Sequence, residues 1–292
     1  MRRWALVLLA GSALLAQDTD KGPTARLGLG AFTDQFSDAT GTRKGWIVNG
    51  EWFRDDSGPW TASVVGTTRP EGTGTTFSLG KEIFFGDQSW AWLSLGKGTG
   101  ADFVPTLRGS LDLTLGFDAT WSLGLAASVN RYQEDATTTI LQAGPGWARG
   151  EWSATLRLQQ VRYTPGSDSD TGGLLDLRWG ASNKSRWHSL RVGVGAGILD
   201  AMQAGGGFSS STMSTTGGGR GSGNGRSGTT GTTSTTTTTE AWISPSLKET
   251  LISTTHHFPI TKNLAVRADL AWGRRETAFT MWSATLQSFL SF

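Results

Sequence analysis

The stretch W-S-A-T-L-Q-S-F-L-S-F, residues 282–292, decides the fold. Trp282, Ala284, Leu286, Leu290 and Phe292 fall on one face of an extended chain, and Ser283, Thr285, Gln287 and Ser291 on the other. Phe289 is an exception on the polar face. A period of two with unlike faces is the pattern of a β-strand, because successive side chains leave a pleated backbone on opposite sides. A run that ends on an aromatic ring is also unlike the frayed polar tail of most soluble domains.

The same period recurs upstream. In Thr106–Phe117, Leu107, Leu111, Leu113 and Leu115 alternate with Arg108, Ser110, Asp112 and Thr114. Trp121, Leu123, Leu125, Ala127 and Val129 follow on one face, and Leu264, Val266, Ala268, Leu270 and Trp272 repeat the pattern later. No stretch sustains a helical period, so the chain reads as all-β. Such runs number about fourteen, most of roughly ten residues, the length of a tilted membrane-spanning strand. Their centres lie near Leu29, Asn49, Val64, Leu79, Leu93, Asp112, Leu125, Gln142, Leu156, Leu177, Val192, Thr250, Ala268 and Leu286. The strand near Thr250 is bracketed by Pro245 and Pro259, which limit ladder donors there.

Two kinds of connection alternate. The short ones are D-D-S-G (55–58), F-G-D-Q (85–88), F-D-A-T (117–120), A-R-G (148–150), A-S-N-K-S (181–185) and P-I-T-K-N (259–263). The others read as longer and more polar: 34–43, R-P-E-G-T-G from Arg69, K-G-T-G-A-D from Lys97, and T-P-G-S-D-S-D-T-G from Thr164. Y-Q-E-D-A (132–136) and G-R-R-E-T (273–277) are the weakest of this class. Tight turns on one rim and larger loops on the other describe a transmembrane antiparallel β-barrel with an even strand number. Trp52, Trp60, Trp90, Trp121, Trp147, Trp152, Trp179 and Trp187 flank the short connections, which predicts an aromatic girdle at that rim. A sandwich core would also be rich in Trp, but gives no reason to put it beside every second turn.

The ending resembles the C-terminal signal of outer-membrane proteins, carried here by Thr285, Leu290 and Phe292; Gln287 stands where that signal commonly has Gly. The resemblance implies recognition by the barrel-assembly machinery. G-T-G-T-T-F-S-L-G-K-E-I-F-F-G-D (72–87), followed by A-D-F-V-P-T-L-R (101–108) and a Gly-rich strand, resembles the YaiO-type outer-membrane barrel family. Val161–Leu177 is a weaker echo. The resemblance implies an outer-membrane barrel and brings no catalytic residue with it.

The opening M-R-R-W-A-L-V-L-L-A-G-S-A-L-L-A has the layout of a secretory signal peptide, 1–16, followed by a short periplasmic segment, 17–24, and a barrel over 25–292. A short membrane anchor or buried helix is the alternative. The formal net charge of +2 is supplied by Arg2 and Arg3, so the mature chain is near neutral and no nucleic-acid partner is expected. With 0 Cys, disulfides cannot hold the fold together. Residues 205–239 are rich in Gly, Ser and Thr, lack apolar content, and read as a disordered loop on the exterior side.

Chemistry-bearing residues are few. His256 and His257 are adjacent, so a strand sends them to opposite faces and no metal is expected there. His188 reads as interfacial, and no Ser is set beside a base as a lipid hydrolase would need. The runs A-G-P-G (143–146) and G-T-G-T (72–75) lack the Lys-Ser/Thr and following helix of a phosphate loop. Alternation sends Glu51, Arg108, Asp112, Arg157, Asp176, Arg178, Arg191, Arg267 and Asp269 into the lumen. The expected function is a passive pore or transport-related barrel for small polar solutes, non-enzymatic, cofactor-free and monomeric, in contact with outer-membrane lipids. The alternatives are a structural or surface-exposed barrel with a filled lumen, a lipid-modifying barrel enzyme, and a secreted soluble β protein.

Overall fold

A computed structural model describes residues 25–37, 41–53, 58–85, 88–133, 136–164, 169–180, 186–199, 248–276 and 278–292. The expected signal peptide (1–16), periplasmic segment (17–24) and low-complexity loop (205–239) lie outside the described residues. Fourteen strands make up the fold: β1 (Ala25–Phe36), β2 (Thr42–Trp52), β3 (Trp60–Arg69), β4 (Gly72–Phe84), β5 (Trp90–Gly100), β6 (Leu107–Gly116), β7 (Trp121–Arg131), β8 (Thr137–Arg149), β9 (Trp152–Thr164), β10 (Ser169–Gly180), β11 (Trp187–Gly195), β12 (Glu249–Pro259), β13 (Leu264–Arg275) and β14 (Phe279–Ser291). Each pairs antiparallel with its neighbours in sequence, and β14 returns to β1, so the sheet is a closed barrel. Closure leaves no ladder group unpaired at an edge, which is the condition for placing a sheet in hydrocarbon.

The polarity of the two faces is inverted relative to a soluble protein. Leu95 (70% exposed), Leu158, Leu286 and Trp282 stand on the outer surface, whereas Arg43, Asp34, Glu82 and Gln287 are buried inside. Such an exterior is stable only against an apolar solvent.

The loops differ from the expected pattern. β1 continues through Asp34 to Phe36 and β2 starts at Thr42; β3 and β4 are joined by Pro70 and Glu71 alone. β5 runs on to Gly100 and β13 to Arg275. Apart from the connection between β11 and β12, the loop rim is therefore no longer than the tight-turn rim. The polar residues read as loop continue the ladder and turn their charges inward: Asp34, Arg43, Arg69 and Arg275 are all buried. At the tight-turn rim, local chemistry sets the bends. Asp118 Oδ1 accepts from the backbone N–H groups of Thr120 (2.7 Å) and Trp121 (2.8 Å), an Asx turn between β6 and β7.

Closure rests on complementary side chains. Across the β1–β14 seam Gly28 faces Phe289 and Gly30 faces Gln287. The Phe289 ring lies over Gly28, so the apolar residue on the polar face of the final strand has a defined seat inside the barrel.

Candidate functional site

The lumen is the candidate site. All nine predicted lumen residues lie on the inward face of their strands, and the ladder pairs most of them. Arg26 Nη1 donates to Glu51 Oε2 at 2.9 Å between β1 and β2. On β10 and β11, Arg191 Nε donates to Asp176 Oδ2 at 2.9 Å. On β13, Arg267 and Asp269 bond each other (2.8 Å), and the Thr255 hydroxyl of β12 donates to the same Asp269 oxygen at 2.6 Å. Arg157 Nη2 on β9 reaches Asp112 Oδ1 on β6 at 3.1 Å. It does so over β7, where Gly124 leaves no side chain in the way: a Cβ there would meet Arg157 Cζ at 2.6 Å. Arg108 is buried beside Gly96, and the Arg178 guanidinium lies 4.3 Å from the Trp187 ring centre.

Toward the loop rim an apolar cluster joins the buried charged groups of the interior. Phe36, Ile140, Val161, Tyr163, Leu174, Leu251, Phe279 and Met281 form one buried cluster contributed by β1, β8, β9, β10, β12 and β14. Ile198 and Leu199, which follow β11, sit at its centre with 0% exposure. Hydrogen bonds hold the segment: Gln159 Nε2 donates to the Ala196 carbonyl (2.7 Å), the Ala196 N–H to the Thr171 carbonyl (3.0 Å), and the Leu199 N–H to Glu249 Oε2 (2.8 Å). Glu249 Oε1 accepts from Arg275 Nε (2.7 Å). On the other side, Phe103 and Val104 of the β5–β6 connection fold inward, Phe103 beneath Arg69 at 4.3 Å. Arg43 Nε donates to Asp34 Oδ2 at 2.6 Å with both side chains at 0% exposure.

Sequence reasoning missed these groups because Phe32, Asp34 and Phe36 mix apolar and charged residues on one face, which erases the period-two contrast. The signal for the segment after β11 was the apolar pair Ile198-Leu199 behind the glycines Gly193, Gly195 and Gly197.

The rims show a second division. Trp52, Trp60, Trp121 and Trp152 project from the outer face near the tight turns, each 44–57% exposed, and Trp147 and Trp179 share that face. Trp90 and Trp187 do not: they are 5% and 4% exposed and point into the barrel. The register pairs Trp90 with inward Phe84, and the pleat then sends Ala91 and His188 outward instead. Nearness to a turn does not set the face; strand parity does, and a shift of one residue reverses it. A second outward aromatic level, Trp46, Trp272 and Trp282, lies toward the loop rim. Trp46 and Trp52 are separated by roughly 20 Å along one strand, so the two aromatic levels bracket much of the outer apolar surface.

Of the residues of the terminal motif, Thr285 faces the lumen and Leu290 the outside. The Phe292 N–H donates to the Ala25 carbonyl at 2.9 Å, which carries the ladder to the last residue. His257 is inward, stacked on Trp187 with ring centres 5.6 Å apart, while His188 and His256 meet on the outer face.

Residues 24–197 match the profile of the YaiO membrane β-barrel domain. No curated protein matches the chain. Among solved structures, it is similar to the CymD monoaromatic hydrocarbon channel, with TM-score 0.55, 9% identity, and 93% of this chain and 89% of that one covered. It is likewise similar to a bacterial polysaccharide outer membrane secretin, with TM-score 0.51, 9% identity, and 94% and 100% covered. At such identities the likeness shows the barrel fold alone.

Proposed function

The chain belongs to the YaiO membrane β-barrel family, and from that premise we propose that it is a transport-related barrel of the bacterial outer membrane, closed at rest, for small polar solutes. The observation that carries this reading is the apolar cluster around Ile198 and Leu199, set among buried ion pairs at the loop end of the lumen. Charged and hydrogen-bonding groups (Arg26, Glu51, Asp176, Arg191, Arg267, Asp269) lie toward the tight-turn rim, while at the loop end Ile198 and Leu199 fill interior space between the Asp34–Arg43 and Glu249–Arg275 pairs. Apolar constrictions block ions by excluding water, whereas charged linings admit them. Ile198 and Leu199 belong to a connection, so their withdrawal breaks no strand pairing. In this reading the outward Leu and Trp residues contact outer-membrane lipids, the barrel-assembly machinery engages the last strand, and the barrel acts as a monomer with its tight turns in the periplasm.

The test is single-channel conductance in planar bilayers, with the unaltered protein beside an Ile198→Ser/Leu199→Ser variant. The expected result is a nearly silent wild type and stepwise currents from the variant. Silence from both, with the variant folded, supports the second reading, a structural barrel with a filled lumen. That reading draws on the buried pairs Asp34–Arg43 and Glu249–Arg275, which occupy interior space. A lipid-modifying enzyme has no such observation behind it.

A further inference from the structure

The register of β11 against β12 sets His188 directly opposite His256. Both side chains leave the outer face of the barrel near the tight-turn rim, where neighbouring outward positions carry Trp179 and Phe258. The two Nδ1 atoms lie 2.8 Å apart, and the rings meet at 61° with centres separated by 5.1 Å. The Trp179 ring is 5.6 Å from His188, and Phe258 is 5.4 Å from His188 and 6.3 Å from His256. Trp179 and Phe258 flank the histidine pair, and Trp152 stacks on the far side of Trp179 at 6.0 Å.

Two imidazole nitrogens in hydrogen-bond contact can share a proton or, with a small reorientation of the rings, a metal ion. In the metal-free protein one Nδ1 carries a proton and donates to the lone pair of the other. Moving that proton to Nε2 of the same ring leaves both Nδ1 lone pairs aimed at the space between them, with no change in charge. A metal bound by both at about 2.0–2.1 Å requires the nitrogens to stand roughly 2.9 Å apart for cis positions of a square plane, or about 3.4 Å apart for a tetrahedron. The observed 2.8 Å is within a few tenths of an ångström of the first. The β-ladder holds the two backbones at fixed spacing, so the site is organised before the ion arrives.

We propose that His188 and His256 form a surface site for a divalent transition-metal ion of the imidazole-preferring class, with Cu²⁺ requiring the least movement. Among the described residues no three His, Asp or Glu converge on one point, so the remaining coordination positions belong to water or to an anionic oxygen from the surrounding interface. Arg186, whose guanidinium lies 5.4 Å from the Phe258 ring centre, adds a positive charge nearby and favours an anionic ligand there. His257, next in sequence to His256, is on the other side of the wall and takes no part.

The experiment is titration of the untagged, folded full chain in detergent with CuCl₂, followed by electron paramagnetic resonance and by competition with a chelating dye. One equivalent with nitrogen coupling from two imidazoles is expected. His188→Ala and His256→Ala should each lose that signal and weaken binding by at least roughly tenfold, while His257→Ala retains both. A mobility shift between unboiled and boiled samples confirms that each variant is folded. An unchanged signal in the His188→Ala/His256→Ala double variant, or no competition with the dye by the wild type, overturns the proposal. The site does not depend on the conductance reading, and a silent barrel would leave this test intact.

Discussion

Gly30 lies directly across the β1–β14 seam from Gln287, and a Cβ at Gly30 would stand 2.5 Å from Gln287 Cγ. The glycine is the space that a larger residue on the closing strand occupies; Asn49 Nδ2 then donates to Gln287 Oε1 at 3.4 Å from β2.

Gly30→Val should therefore destabilise the barrel although valine favours strands, by about 1–3 kcal/mol, the cost of overpacking an ordered interior. Gln287→Gly in the same chain should restore part of the loss, because the Leu286 carbonyl, 2.9 Å from the same Cβ, remains. Denaturant unfolding, with the fraction of heat-modifiable species on gels, measures both. Ala31→Val, one residue along and facing outward, should be near neutral.

Arg157 depends on Asp112 across the bare surface of Gly124. Asp112→Ala leaves a guanidinium inside the barrel without its carboxylate, which costs on the order of 3–5 kcal/mol for a buried pair. Replacing both, as Asp112→Leu with Arg157→Met, should cost much less. A double-mutant cycle by equilibrium unfolding gives the coupling, and strictly additive losses would count against the pair.

Glu249 joins the β11–β12 connection to the barrel wall, since its two oxygens accept from Leu199 N–H and from Arg275. Glu249→Ala should release the segment without breaking any ladder bond. Amide exchange at Leu199 should accelerate by about tenfold or more, the equivalent of about 1.4 kcal/mol, and protection in the middle of β12 should remain.

Lipids carrying bromine on their acyl chains quench only indoles that touch them. Trp152→Phe should remove quenchable fluorescence, because Trp152 is 57% exposed on the outer face. Trp187→Phe should remove fluorescence that the lipids never quenched, because Trp187 is enclosed by His257 and Arg178. Equal quenching of both would reverse the assigned parity of β11.

How much of this was legible beforehand follows from the range of each cause. Alternation is local: Leu107 to Leu115 declare a strand and its two faces with no knowledge of the partner, and the nine charged lumen residues follow from the same parity. Where parity meets a turn the reading failed, as with Trp90 and Trp187, because the phase of the strand beyond the turn is set by its ladder partner. The loop rim was misread for a related reason. Asp34, Arg43 and Arg69 have loop-like polarity, and only opposing strands show that their charges are enclosed.

The amino-acid sequence by itself determined the strands, their approximate number and the side that meets lipid, because a period of two is a property of a single chain. Only the tertiary structure decided which residues share the enclosed space. Arg157 with Asp112, Ile198 and Leu199 within the loop-end cluster, and His188 against His256 are brought together by register and closure, with sequence separations of 45 residues for the first pair and 68 for the last. Those contacts belong to the register and curvature of the closed sheet, which no one strand carries.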